Sequence, residues 1–149
     1  MKKLLFVLNP CAGMRKASKV LVDILSEFNR ADYDVHTYVT AGQGDATDAV
    51  ERMASGMDLV VCCGGDGTFN ECVCGAAQLS NVAVCPFPTG TGNDFCRMFG
   101  NEADMFRDLE ALLQGEEHEI DLIDCNGRWC ANICSVGIDA RIGNDVHKY

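Results

Sequence analysis

No apolar run in this sequence approaches the roughly 20 residues that a helix needs to cross a bilayer. The opening Met1-Lys2-Lys3 and Leu4 to Leu8 imitate a signal peptide. The apolar stretch is too short, and Asn9-Pro10, then Arg15, Lys16 and Lys19, break it, so a buried first strand is expected. Basic residues are scarce: 12 Lys and Arg against 22 Asp and Glu give a formal charge of −10. A polyanion repels such a surface, which excludes nucleic acid as a partner and removes any general attraction to anionic lipid. Histidine is scarce as well. His36 falls in a predicted strand and His118 and His147 in the tail, and no Ser-His-Asp or His-Cys arrangement is evident. The ten cysteines contain no CxxC pair, so the usual zinc spacing is missing and no metal ligand is assigned. Cys62 and Cys63 sit in one apolar run, Cys85 ends another, and Cys72 and Cys74 fall on different faces of a predicted helix. All are expected to serve as small buried hydrophobes, kept reduced in a cytoplasmic compartment. Two phosphate signatures are absent too: no GxxxxGK[ST] marks a P-loop, and no GxGxxG follows a strand.

What remains is a globular composition, 48% apolar and 23% charged, of a length that fits one ordinary domain. Strand and helix patterns alternate. Leu4 to Leu8 reads as a strand. From Met14 to Asn29, Ala17, Val20, Leu21, Ile24, Leu25 and Phe28 recur at helical spacing. Strands follow at Tyr33 to Val39, Asp58 to Cys63 and Val82 to Cys85. Helices are expected at Asp45 to Ala54, from about Thr68 to Gln78, at Asn93 to Phe99 and at Ala103 to Gln114, with Pro86 and Pro88 in a loop. The fold class is therefore α/β: a Rossmann-like parallel sheet with helices on both faces over residues 1–115. Glu119 to Asp124, the turn Cys125-Asn126-Gly127, and Arg128 to Ser135 read as a β-hairpin. Residues 116–149 are read as the first hairpin of a truncated β-sandwich domain, whose unpaired edges invite association into homo-oligomers.

The chemistry is expected where strands end. Gly64-Gly65-Asp66-Gly67-Thr68-Phe69-Asn70-Glu71 follows an apolar strand and opens a helix. Three glycines in four positions let backbone amides approach a ligand, and a helix start supplies free N–H groups that suit an anion. Thr68 with Glu71 three residues on has the pattern of a capping box. Asp66 beside phosphates needs a cation or a proton. It meets Mg²⁺ through water, takes a proton from an acceptor hydroxyl, or accepts turn amides, and the sequence leaves these open. Pro88-Thr89-Gly90-Thr91-Gly92-Asn93-Asp94 follows the next strand, with Asn93 or Asp94 able to cap the helix after it. Asn9-Pro10-Cys11-Ala12-Gly13 follows the first strand, and Thr40 with Gly42 and Gly44 follows the second. In a parallel sheet all four segments gather at the carboxyl edge, where ligands bind.

Taken together, these segments resemble the catalytic domain of diacylglycerol-kinase-type lipid kinases, a family that includes sphingosine kinases and bacterial lipid kinases. Asn9-Pro10-x-Ala12-Gly13, Gly64 to Glu71, Pro88 to Asp94 and Asn132-x-x-Ser135-x-Gly137-x-Asp139-Ala140 carry the resemblance. It implies ATP as phosphoryl donor, Mg²⁺ as cofactor, and a membrane lipid with a free hydroxyl as acceptor. It also implies peripheral contact at the inner membrane surface. By resemblance the nucleotide meets Asn9, Pro10, Gly13, Thr40, Gly64 to Thr68, Asn70, Glu71, Gly90, Thr91, Asn93 and Asp94, with Asp66 as the candidate catalytic residue. The family often carries a basic residue directly after the first motif, where Met14 stands here; Arg15 or Lys16 is the substitute in reach. The principal Mg²⁺-linked residues and the proposed base belong, by the same resemblance, to the family's β-sandwich domain. NAD kinases and phosphofructokinases share the Gly64 to Thr68 pattern, and a non-catalytic nucleotide-binding module is the alternative from another class.

Overall fold

The computed structural model describes residues 1–138, 140 and 141, with side chains described outside 14–20 and 101. His147 and Asp139, and the side chains of Arg15 and Lys16, lie outside the described set. Strand β1 (Lys2–Leu8) leads through a 3-10 turn (Ala12–Arg15) to helix α1 (Lys16–Arg30). Strand β2 (Tyr33–Val39), helix α2 (Asp45–Met53), strand β3 (Leu59–Gly64) and helix α3 (Asp66–Ala76) follow. Strand β4 (Ala83–Pro88) precedes the short helix α4 (Asp94–Arg97), a 3-10 segment (Gly100–Arg107) and helix α5 (Leu109–Gln114).

The four strands form one parallel sheet in the order β2-β1-β3-β4. Alternation of side chains builds a core on each face. Leu5, Val7, Val60 and Cys62 pack with Ala46 and Val50 of α2 and Phe69, Cys72 and Val73 of α3. Leu4, Phe6, Leu8, Val61 and Cys63 pack with Ile24 and Phe28 of α1, and Leu109, Leu112 and Leu113 of α5 close the same face. Phe6 and Phe28 are fully buried, their rings 6.2 Å apart, and burying each contributes about 1.5–3 kcal/mol. The expected sheet with helices on both faces is present. Because the chain leaves β1 for β2 on one side and crosses to β3 on the other, the loops after β1 and β3 part at the carboxyl edge. That parting is where open α/β sheets bind ligands.

Three element boundaries differ from the sequence reading. Pro86 and Pro88 belong to β4, paired with Cys62 and Gly64, and not to a loop. Proline lacks an N–H, and β4 tolerates two because, among the described residues, it is an edge strand with one side unpaired. Residues 103–114 do not form one helix. Asp108 accepts the N–H groups of Glu110 and Ala111 and starts α5 afresh, so the preceding stretch stays 3-10. Helix α3 begins at Asp66, with Gly65 as its cap residue and no side-chain cap bond. Thr68 therefore lies inside the helix, and the expected capping box is not formed.

The hairpin is present but short: β5 (Ile123–Cys125) and β6 (Arg128–Cys130) pair antiparallel. Asn126 (φ 53°) and Gly127 (φ 83°) both take positive φ, as a two-residue I′ turn requires. The hairpin docks on α3. Asn70 Nδ2 donates to the Trp129 carbonyl at 3.2 Å and the Ala131 N–H donates to Asn70 Oδ1 at 2.9 Å.

Candidate functional site

Four strand-end segments meet at the carboxyl edge, and named contacts join them. Asn9 Nδ2 donates to Thr68 Oγ1 at 2.9 Å, tying the first loop to the second, while Asn9 Oδ1 accepts the Cys11 N–H at 2.9 Å. Gly13 lies so close to the third loop that a Cβ on it would fall 1.9 Å from the Thr89 carbonyl oxygen. A Cβ on Gly90 would fall 2.7 Å from the Gly65 Cα. The Phe95 N–H donates to Asp66 Oδ1 at 3.2 Å, so the carboxylate of the second loop holds the start of α4. Asn93, in the left-handed region at φ 56°, makes no side-chain cap bond and donates instead to the Gly90 carbonyl at 2.8 Å. Capping by Asn93 or Asp94 is thus replaced by Asp66 reaching across from the neighbouring loop.

The fourth segment joins through Glu71. Its Oε1 accepts the Gly44 N–H at 2.8 Å, its Oε2 the Ala46 N–H at 3.3 Å, and its carbonyl the Thr47 hydroxyl at 3.0 Å. Glu71 caps α2 rather than its own helix, which is why the capping box fails. Thr40 is buried, and its N–H continues the β1–β2 ladder to the Leu8 carbonyl at 2.9 Å. Asp45, which the sequence did not single out, secures the same segment. It accepts the Ala41 N–H and, at 2.9 Å, the Tyr38 hydroxyl. The Ala41 amide and then the Tyr38 hydroxyl, with Arg52 nearby, hold its carboxyl below the ordinary value. A lowered folded-state pKa means this anchor is complete above about pH 4 and is lost as pH falls through the folded value.

Two features remain turned outward. Gly67 is exposed, a Cβ placed on it meets nothing within 4 Å, and the N-terminus of α3 carries no side-chain cap. Thr91 and Asp94 are exposed beside it on the third loop, and Pro10 is half-buried on the first. Below this surface Asn93 Oδ1 is buried without a hydrogen-bond partner. It lines a cavity of about 10 Å³ with Gly64, Gly65, Asp66 and Phe95, room for one water. Nothing larger than a water fits in this cavity.

Residues 3–125 match the model of the diacylglycerol kinase catalytic domain. This chain belongs to that family. Among relatives of the diacylglycerol kinase family, the diacylglycerol kinase of Bacillus subtilis (strain 168) is 35% identical, over 98% of this chain and 49% of its own length. The diacylglycerol kinase of Staphylococcus epidermidis RP62A is 33% identical, over 91% of this chain and 44% of its own length. A crystal structure of a diacylglycerol kinase from Bacillus anthracis str. Sterne superposes with a TM-score of 0.74 at 32% identity. The match covers 86% of this chain and 45% of that one. The chain spans about half the length of the curated relatives it matches.

The residues that the diacylglycerol-kinase resemblance singled out divide into two groups. Asn9, Gly13, Gly64, Gly65, Asp66, Thr68 and Gly90 hold the loops to one another, Asn93 braces the third loop from within, Thr40 is buried, Pro10 is half-buried, and Asn70 and Glu71 hold α3 to its neighbours. Gly67, Thr91 and Asp94 face outward. The cysteines divide also. Cys62, Cys63, Cys72 and Cys96 are buried as expected. A hydrogen bond shared with Cys72, and burial, push the Cys62 thiol up; burial pushes Cys63 up to about 12 against a lowering contact with Thr89, and burial with the neighbouring Cys96 pushes Cys85 up to about 12. Cys11 and Cys134 are exposed, and Cys74, Cys85, Cys125 and Cys130 are only partly buried, which corrects the expectation that all ten are buried.

Proposed function

We propose that the loops after β1, β3 and β4 bind Mg-ATP and that the protein transfers its γ-phosphoryl group to a hydroxyl of a lipid, diacylglycerol first. Gly67 carries this reading. A glycine in the first turn of a helix sacrifices stability relative to alanine, up to about 1 kcal/mol. Neither a left-handed φ nor a neighbouring protein atom demands it here. The space it leaves is open and lies at the start of α3, where helix amides without a side-chain cap suit an anion. In this reading residues 1–115 are the nucleotide-binding unit, and residues 116–149 belong to a second.

The magnesium ion fits on particular terms. Among the described residues no three potential ligands gather. Asp66 and Asp94 flank Gly92, with carboxylate oxygens 2.9 and 4.0 Å from where its Cβ would lie. Mg²⁺ is commonly held by one or two carboxylates together with water and substrate phosphates. Asp66 and Asp94 would hold it on that pattern, and it would supply neutralisation of the phosphate charge. The chain's own part is to position phosphates on backbone amides and to keep the two carboxylates beside them, which is most of what phosphoryl transfer requires. The exposed Met98, Phe99 and Met105, next along the chain from the third loop, favour contact with a lipid surface.

Asp66→Asn separates charge from scaffold, because the amide oxygen still accepts the Phe95 N–H. The fold should persist, while turnover falls at least about tenfold and ATP binding depends less on Mg²⁺. Normal turnover in this variant would leave Asp66 as a turn residue only. Cys11 reports on occupancy without turnover. Saturating Mg-ATP should slow its alkylation at least about fivefold and leave Cys134, on the remote hairpin, unchanged; equal slowing at both, or at neither, contradicts the placement. The reaction itself is tested with labelled Mg-ATP offered diacylglycerol, a sphingoid base and NAD separately. Label on diacylglycerol is expected. Label on NAD overturns the acceptor class, and no label on any acceptor while ATP still binds reduces the chain to nucleotide binding.

A further inference from the structure

Cys62, Cys63, Cys72 and Cys96 are buried in the core, Cys11 stands exposed on the first loop, and Cys125, Cys130 and Cys134 form a separate cluster at the hairpin that the nucleotide site does not use. Within that cluster Cys125 Sγ and Cys134 Sγ are 2.7 Å apart, nearer to the ~2.05 Å of a disulfide than to a van der Waals contact. Cys134 is exposed and Cys125 half-exposed, so reagents in solution reach both. Cys130, the third thiol of the hairpin, is occupied: it donates to the Ile133 carbonyl at 2.9 Å. A metal is not the explanation, because no three ligand side chains gather among the described residues. The geometry points to Cys125 and Cys134 as a reversible dithiol site that exchanges with a small-molecule disulfide of the glutathione type.

Each step balances. The Cys134 thiol loses its proton to solvent and its thiolate attacks one sulfur of the small disulfide. That S–S bond breaks, one small thiol leaves, and a mixed disulfide forms on Cys134. The Cys125 thiol then loses its proton, its thiolate attacks Cys134 Sγ, and the second small thiol leaves. The protein loses two hydrogens and two electrons, and one small disulfide becomes two thiols. Cys134 is the first attacker because it is the exposed partner. The hydrogen bond with Cys134 raises the Cys125 thiol above its ordinary value, so Cys125 attacks second. Proximity makes that second step intramolecular and far faster than a second encounter with the reagent. The bridge closes residues 125–134 around β6, whose Trp129 carbonyl and following Ala131 N–H grip Asn70 of α3. A change at the thiols is thereby applied to the helix whose first turn forms the phosphate seat.

The test incubates the full chain with oxidised glutathione, traps free thiols by alkylation under acid quench, and maps peptides by mass. The expected result is a Cys125–Cys134 linked peptide, two hydrogens lighter, at least tenfold more abundant than any glutathione adduct on either residue. In Cys134→Ser the adduct should instead persist on Cys125, since the partner thiol is gone; Cys125→Ser should trap it on Cys134. Stable adducts on both residues of the wild-type chain, or a linkage formed through Cys130 in their place, would overturn the assignment.

Discussion

Replacing Gly67 by alanine should leave the protein as stable as before, or up to about 1 kcal/mol more stable, and should weaken Mg-ATP binding about a hundredfold. The two halves of that expectation have separate causes. In the folded protein the added methyl meets nothing within 4 Å and the backbone is not in the left-handed region, so no strain opposes it. Alanine is the better helix former, and Gly67 is the second residue of α3. The methyl instead occupies the approach to the uncapped amides at the helix start. Displacing a phosphate from two such amides forfeits two charge-assisted hydrogen bonds of roughly 1.5 kcal/mol each, about a factor of 100 in affinity. Urea unfolding and calorimetric titration with Mg-ATP measure the two effects on one sample. Unchanged affinity in a folded Gly67→Ala protein would remove the phosphate seat from the second loop.

That the Gly64 to Thr68 segment lies at a strand end was legible in the sequence, because an apolar strand before it and a helix after it fixed its place, although the helix begins at Asp66 and takes in Gly67. The parallel sheet was legible for the same reason: Leu4 to Leu8 and Leu59 to Cys63 are buried on both faces and show it as unbroken apolar runs. Partners across the edge were not legible. Glu71 sits at capping-box spacing from Thr68, and local pattern sends it to its own helix. Only the packing of α3 against α2 places its carboxylate under the Gly44 and Ala46 amides. Asp66 poses the same problem, since its partner Phe95 is 29 residues away. Pro86 and Pro88 argued against a strand, and the sheet order that makes β4 an edge is a property of topology, not of local composition. The paired thiols were hidden too, because Cys125 and Cys134 meet only after the I′ turn at Asn126-Gly127 reverses the chain.

Gly13→Ala should do the opposite of Gly67→Ala and break the fold before it touches the ligand. At Gly13 φ is +58°, where a side chain costs about 1–2 kcal/mol, and the new Cβ would lie 1.9 Å from the Thr89 carbonyl oxygen. That oxygen is backbone and cannot rotate away as a side chain would. The third loop must move as a whole, a strain of about 1–3 kcal/mol. The expected sum is about 2–5 kcal/mol, seen as a Tm lower by about 10 °C for a domain of this size. Gly44→Ala separates the two contributions. Its φ is +85°, yet a Cβ there meets nothing within 4 Å, so it carries the conformational cost alone. Equal losses in the two variants would mean that the first and third loops do not touch as described. A larger loss at Gly13, with ATP affinity falling alongside it, is what their contact requires. If the loops bind the nucleotide as proposed, the first loop reaches it only when seated against the third, so Gly13 would act on binding through the assembly of the edge, whereas Gly67 would act at the phosphate.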